Sequence, residues 1–178
     1  MGLAPGYDIR RLSIDDAEAL AAAYTRNRAY LAPWEPVRDK SYYTAEGQAP
    51  DVARRLDTDA AGLGASWVLW CDREVVGRIN LNNIVRGAFQ SASVGYWVSE
   101  AHRGRGLAGS AVEYVCDAAL ALGLHRLEAG TVTSNVASQR VLAKCGFTFF
   151  GTAPQYLLIN GAWRDHHLYQ KILHDRTD

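Results

Sequence analysis

The sequence predicts an α+β domain whose central twisted sheet is mixed but mostly antiparallel and flanked by helices. Three observations predict it: two apolar runs joined by Asp72-Arg73-Glu74, a strand-loop-helix-strand unit from Ser93 to Val132, and Asn160-Gly161 between two further apolar runs. Antiparallel strands first, one β-α-β crossover in the middle and a hairpin last exclude a doubly wound parallel sheet. At 178 residues the chain is one domain long, and no linker, repeat or low-complexity tract divides residues 1–178.

In chain order, residues 7–11 (YDIRR) read as a short strand. Ser13 opens a helix through Asp15 and Asp16 to about Ala29, its hydroxyl suiting an N-cap and the acids suiting the positive end of the helix dipole. Pro33 and Pro36 around Trp34 and Glu35 forbid a helix over residues 30–37, giving a stiff surface segment with an exposed tryptophan. A second helix spans Thr44 to about Ala61, with a break near Pro50 and a stop at Gly62 and Gly64. Trp67–Cys71 and Val75–Ile84 form an antiparallel pair, Ile79 and Leu81 alternating with Arg78, Asn80 and Asn82. Ser93–Val98 is a strand, followed by a glycine-rich loop and a helix from about Leu107 to Leu122 with Leu107, Ala111, Val115, Ala118 and Leu122 on one face. Arg126–Val132 returns parallel to the strand before that helix, Asn135–Cys145 is a helix stopped by Gly146, and Phe147–Phe150 is a strand. The last hairpin turns at Asn160-Gly161, residues that tolerate the left-handed backbone of a tight turn.

Composition limits the function. Hydrophobic residues at 48% and charged residues at 21% fit a folded domain rather than a disordered or membrane chain. Nineteen basic side chains balance nineteen acidic ones, with 11 and 12 in residues 1–89, so no field gathers nucleic acid and no such partner is expected. No run approaches the roughly 20 apolar residues of a membrane span, and the first residues carry no basic-then-apolar leader, so no membrane partner and a cytoplasmic location are expected. Cys71, Cys116 and Cys145 are odd in number and lack zinc-site spacing, and adjacent His166 and His167 point to opposite faces, so a reducing compartment and no metal are expected. The composition accommodates a monomer or a homodimer.

The chemistry concentrates in Glu100–Ser110 (EAHRGRGLAGS). Glycines at 104, 106 and 109 admit a ligand close to the backbone, and the helix start behind them aims free N–H groups at it. Arg103 and Arg105 add positive charge, and no acid occurs from Ala101 to Val112, so a phosphate or pyrophosphate is the favoured ligand. Gly104-x-Gly106-x-x-Gly109, with Glu128 beyond, also matches a dinucleotide fingerprint. Four residues separate its strand from the first glycine, and too little chain follows for a second Rossmann half. A phosphate-binding loop of the Gly-Lys-Ser/Thr type fails for want of the lysine.

Arg103-x-x-Gly106-x-Ala108 resembles the R/Q-x-x-G-x-G/A pyrophosphate loop of the GCN5-related N-acetyltransferase (GNAT) family. Asn135-x-x-Ser138 followed by Gly146-Phe147, the stretch from Tyr156 to His166, and Leu31–Pro36 (LAPWEP) are similar to the RimJ/RimL branch, the ribosomal-protein N-terminal acetyltransferases. The resemblance covers nearly the whole chain. It implies a GNAT fold whose β-α-β crossover binds acetyl-CoA as cosubstrate, with direct acetyl transfer, no acyl-enzyme, to the α-amine of a protein, in that branch a ribosomal one. Cofactor contacts then fall to Arg103, Gly104, Arg105, Gly106, Ala108, Gly109, Ser110, Asn135 and Ser138, and to backbone groups around Trp97 and Val98.

Many relatives carry a tyrosine seven residues after the helix-starting asparagine to protonate the departing thiolate, but here that position is Leu142. Ser138 shares a helical face with Asn135, Val141, Leu142 and Cys145 and becomes the candidate proton donor, the alternative being a serine bonded to its own helix. Glu128 and Asp165 are the candidate bases, each equally able to be a structural partner. Trp34, Glu35 and Tyr156 are the candidate walls of the acceptor cleft. A peptide α-amine, with a pKa of about 7.7 to 8, needs only a weak base. Two other readings remain: acetylation of a small amine such as an antibiotic, and a non-catalytic module that binds acetyl-CoA.

Overall fold

The computed structural model describes residues 3–175, so the extreme ends of the domain expected over 1–178 lie outside the described residues. Seven strands build one sheet: β1 (Tyr7–Arg11), β2 (Ala65–Cys71), β3 (Glu74–Val85), β4 (Ser91–Val98), β5 (Arg126–Val132), β6 (Thr148–Ile159) and β7 (Ala162–Ile172). Their order is β1-β2-β3-β4-β5-β7-β6, antiparallel throughout except for the parallel contact of β4 with β5. The crossover between those two strands is α4 (Leu107–Ala121), and the other helices are α1 (Ala17–Arg26), α2 (Arg28–Leu31), α3 (Ala45–Ala60) and α5 (Val136–Lys144).

Turn chemistry fixes the register at both ends. Asp72 and Arg73 at φ 46° and 68° join β2 to β3, and Asn160 and Gly161 at φ 48° and 75° join β6 to β7. Two successive positive φ values match the right-handed twist of the strands they connect.

The helices cover opposite faces. On one face α4 and α5 close a core containing Trp67, Ile79, Leu81, Leu107, Val112, Leu127 and Leu142. On the other, α1, α2 and α3 close a smaller core of Leu20, Tyr24, Leu31, Val52, Val68 and Trp97. Both faces of β3 are therefore buried. Arg78, 4% exposed, survives there because Asp51 of α3 lies 3.3 Å from its guanidinium. Burial alone would raise the Asp51 carboxyl, but the hydrogen bond and charge of Arg55, with Arg78 and Arg54, hold it at about 2.

Four expectations are corrected. The first helix is divided: a 3-10 turn at Ile14–Asp16 capped by Ser13 precedes α1, and Asn27 interrupts the helix, its side chain donating to Ala23 O at 2.8 Å. The proline segment is not free of helix, since α2 runs to Leu31 and a 3-10 turn covers Ala32–Trp34, where Pro33 sits in a first turn that needs no N–H from it. Trp34 is accordingly half-buried rather than exposed. Pro50 does not break α3, because Thr44 caps that helix and buried Gln48 and Val52 anchor it on either side of the one lost hydrogen bond. On α4 the buried stripe is Leu107, Ala111, Val112, Val115, Cys116 and Ala119, and Leu122 is exposed beyond the helix end.

Candidate active site

β4 and β5 bond only through their first residues, Ser91–Ser93 against Arg126–Glu128. Past that point β4 follows β3 to Val98 while β5 follows β7 to Val132, and a wedge opens between them. The phase of the flanking ladders says which backbone groups face the wedge. Ser99 donates its N–H to Val76 O at 2.7 Å, directly across β3, and every second residue of an antiparallel ladder repeats that pairing. Trp97 therefore commits its N–H and C=O to Arg78, whereas Tyr96 and Val98 turn theirs to the wedge. On the far wall Thr133 N bonds Asp165 O at 3.2 Å, and the same alternation leaves Gly130 and Val132 facing inward. Of the two residues expected to offer backbone groups, Val98 is so placed and Trp97 is not. The Trp97 contribution is its side chain, whose Nε1 donates to the Tyr24 hydroxyl at 2.9 Å.

Beyond Val98 the chain turns through Ser99–Gly106 into α4. Gly104 and Gly106 hold φ of 73° and 76°, a left-handed backbone that a Cβ disfavours, and Gly106 is the N-cap. The amides of Leu107, Ala108 and Gly109 open the helix and have no upstream carbonyl to bond. Ser110 N already bonds Gly106 O at 3.0 Å, so Ser110 reaches a ligand only through its hydroxyl. Arg103 lies 3.2 Å from Glu100 with its guanidinium 5.1 Å from the Tyr30 ring, and Arg105 donates to the Tyr7 hydroxyl at 3.2 Å. Positive dipole, free amides and two arginines make an anion site.

On the same face α5 starts at Asn135, whose Oδ1 accepts the Ser138 N–H at 3.1 Å, which leaves its Nδ2 amide free to donate to a cofactor. Ser138 Oγ lies 2.9 Å from the hydroxyl of Tyr96 on β4. Burial pushes the Tyr96 phenol up to about 12, against the hydrogen bond from Ser138, which lowers it. The sequence reasoning missed Tyr96 because it sought a tyrosine on α5 only. The signal lay in the strand alternation of SVGYWV, which puts Tyr96 and Trp97 on opposite faces.

On the opposite face a cavity of about 140 Å³ lies beneath the β6–β7 turn, lined by Tyr24, Arg28, Leu31, Glu35, Arg38 and Tyr43 among others. Asn160 in that turn donates its N–H to Glu35 O at 2.9 Å, fastening hairpin to loop. Trp34 is not part of the lining. Tyr156 packs on His166, ring centroids 5.4 Å apart, and reaches the edge of Gly130 at the wedge.

The two expected bases are elsewhere engaged. Glu128 sits where the wedge closes and ion-pairs with Arg126, which also bonds Gln170 at 2.8 Å. Asp165 Oδ1 accepts the Gln155 N–H at 2.8 Å and stabilises an irregularity of β6. Among the described residues no group of three or more metal-capable side chains occurs.

Residues 8–148 match the family model described as the acetyltransferase (GNAT) domain. Over 162 residues the chain is 38% identical to a Bacillus subtilis (strain 168) protein named "Probable N-acetyltransferase YjcK", covering 89% of each chain. The ribosomal-protein-S5-alanine acetyltransferase of Vibrio fischeri superposes with a TM-score of 0.92 at 34% identity, over 97% of this chain and 96% of that one. Mycobacterium smegmatis RimJ in complex with CoA-disulfide superposes with a TM-score of 0.88 at 30% identity, over 93% of this chain and 81% of that one.

Proposed function

The chain belongs to the acetyltransferase (GNAT) family, and from that premise we propose that it transfers acetyl from acetyl-CoA to the N-terminal α-amine of a protein in the cytoplasm. The observation that carries the proposal is the wedge between β4 and β5, which opens beside the anion site at the start of α4.

The residues present fit the cosubstrate. Its pyrophosphate suits the Gly104–Gly109 amides with Arg103 and Arg105, and the amides of its pantetheine arm suit the unpaired backbone of Tyr96 and Val98 as an added strand would. Acetyl-CoA supplies an activated thioester. The backbone N–H groups at the wedge polarise its carbonyl, and the Ser138 hydroxyl, backed by Tyr96, gives a proton to the departing sulfur.

The relatives and the charge of the cavity support the acceptor class. YjcK carries no acceptor in its name, whereas the Vibrio fischeri enzyme acts on an alanine of ribosomal protein S5. Arg28 and Arg38 line the cavity with Glu35 as the one carboxylate. One carboxylate among guanidinium groups leaves a place for a single amine and repels a polycation. Among the described residues no helix is long and apolar enough to cross a membrane, in keeping with a cytoplasmic acceptor.

The test is thiol release from acetyl-CoA with a peptide bearing a free N-terminal alanine, beside the same peptide already N-acetylated. Release with the first alone is the expected result. Binding of acetyl-CoA without release on any amine would favour the non-catalytic module, and release on a small polyamine alone would move the acceptor.

A further inference from the structure

We propose that Glu35 is the proton acceptor for the incoming amine, a carboxylate brought to the reaction from the loop after α2 rather than from the sheet. The inference rests on the acetyltransferase reading above and adds the residue that makes the amine nucleophilic.

Elimination and placement carry it. Around this end of the sheet, Asp51 is held by Arg54, Arg55 and Arg78, Glu128 by Arg126, and Asp165 by Gln155 N. Among the described residues the Glu35 carboxylate alone of these makes no hydrogen bond or ion pair of its own, and it lines a cavity of about 140 Å³. The back wall of that cavity is Tyr24, whose ring lies 4.9 Å from Trp97 of β4 and whose hydroxyl accepts the Trp97 Nε1 proton. One aromatic layer therefore links Glu35 to the strand bordering the wedge. The main chain of Glu35 is tied to the β6–β7 turn, since Glu35 O accepts the Asn160 N–H.

The charged groups facing Glu35 are Arg38 on its own loop, Arg28 on α2, Asp51 and Arg55 on α3 and Arg78 on β3, and the neutral phenols of Tyr24 and Tyr43 complete its surroundings. Burial raises the Glu35 carboxyl, against the pull of Arg38, Arg78 and Arg55 and with the help of Asp51. A carboxylate so raised is a stronger base than one in water, and the surrounding guanidinium groups disfavour a positive amine.

In the transfer, an ammonium gives one proton to the Glu35 carboxylate. The freed nitrogen lone pair forms the C–N bond as the C–S bond breaks, and the electron pair leaves on sulfur. Sulfur takes its proton from the Ser138–Tyr96 hydroxyl pair, the second nitrogen proton restores that pair through water, and Glu35 returns its proton to solvent.

The experiment is the pH profile of kcat/KM for wild type, Glu35→Gln and Glu35→Asp, on whichever amine wild type acetylates, with the Kd for CoA measured alongside. Glu35→Gln keeps the side-chain volume and the main-chain acceptor of Asn160. It should lower kcat/KM at pH 7 by about 100-fold and shift its acid limb to follow the free-amine fraction, with CoA affinity within about twofold. Glu35→Asp should recover part of the rate. An unchanged rate, or a lowered rate with the wild-type pH profile, would overturn the assignment. Wild-type turnover confined to a small amine would end the N-terminal reading while the same profile still tests Glu35.

Discussion

The Tyr96 hydroxyl lies 2.9 Å from Ser138 Oγ, across the gap between β4 and α5. That contact places a tyrosine hydroxyl beside Ser138, although the helix position at which the family resemblance led a tyrosine to be expected holds the buried Leu142. Because Tyr96 stands on the strand whose backbone faces the wedge, it orients Ser138 without leaving the core.

Ser138→Ala should lower kcat by about 10- to 100-fold with the acetyl-CoA Kd nearly unchanged. Tyr96→Phe should give a smaller loss, and the double variant should lose little more than Ser138→Ala alone. Steady-state kinetics on the four proteins check this, and full additivity would mean the hydroxyls act separately.

The role proposed for the anion loop is cofactor binding. Gly106→Val puts a branched side chain at φ 76° and should cost roughly 1 to 2 kcal/mol of local strain, while Arg103→Ala removes a charge from the same site. Both should weaken acetyl-CoA binding about tenfold in calorimetric titration, with the Arg103→Ala loss shrinking at high salt.

The Asp51 carboxylate, held by Arg55, Arg78 and Arg54, is an acid-sensitive part of the fold. Since the folded carboxyl titrates at about 2 against a usual 3.8, its stabilisation is full above the unfolded value and is lost as pH falls from there toward 2. Asp51→Asn should therefore destabilise by roughly 2 to 4 kcal/mol at neutral pH. Denaturant titration should show that difference fading below pH 4.

Glu35 has the opposite sign. Its carboxyl is raised by burial, so ionisation opposes folding at neutral pH and the cost disappears as pH falls through the folded titration. Glu35→Gln should melt higher than wild type at pH 7 and approach it in acid, a pairing of added stability with lost activity.

Local chemistry made most of the fold legible. Asn160-Gly161 and Asp72-Arg73 took the turns their backbone allows, and Ser13, Thr44 and Asn135 became the caps of the elements they precede. Pro50 and Pro33 were misjudged because tertiary anchoring and position within a turn decide whether a proline breaks a helix. For the site, the Gly104–Ser110 loop is a continuous segment and could be read directly. The Ser138–Tyr96 and Glu35–Asn160 contacts join residues 42 and 125 positions apart, and only the packed sheet brings them together. Asp165 looked available because its partner Gln155 is a neighbour only through the hairpin register, whereas the partner of Glu128 was legible, since Arg126 stands two residues back on the same face of one strand.

The most direct test is mass spectrometry of one peptide carrying both a free N-terminal alanine and an internal lysine, after incubation with the protein and acetyl-CoA. The α-amine should carry a single acetyl group, with the lysine unmodified. Acetylation of the lysine instead, or no transfer while a small polyamine is acetylated, would contradict the N-terminal reading.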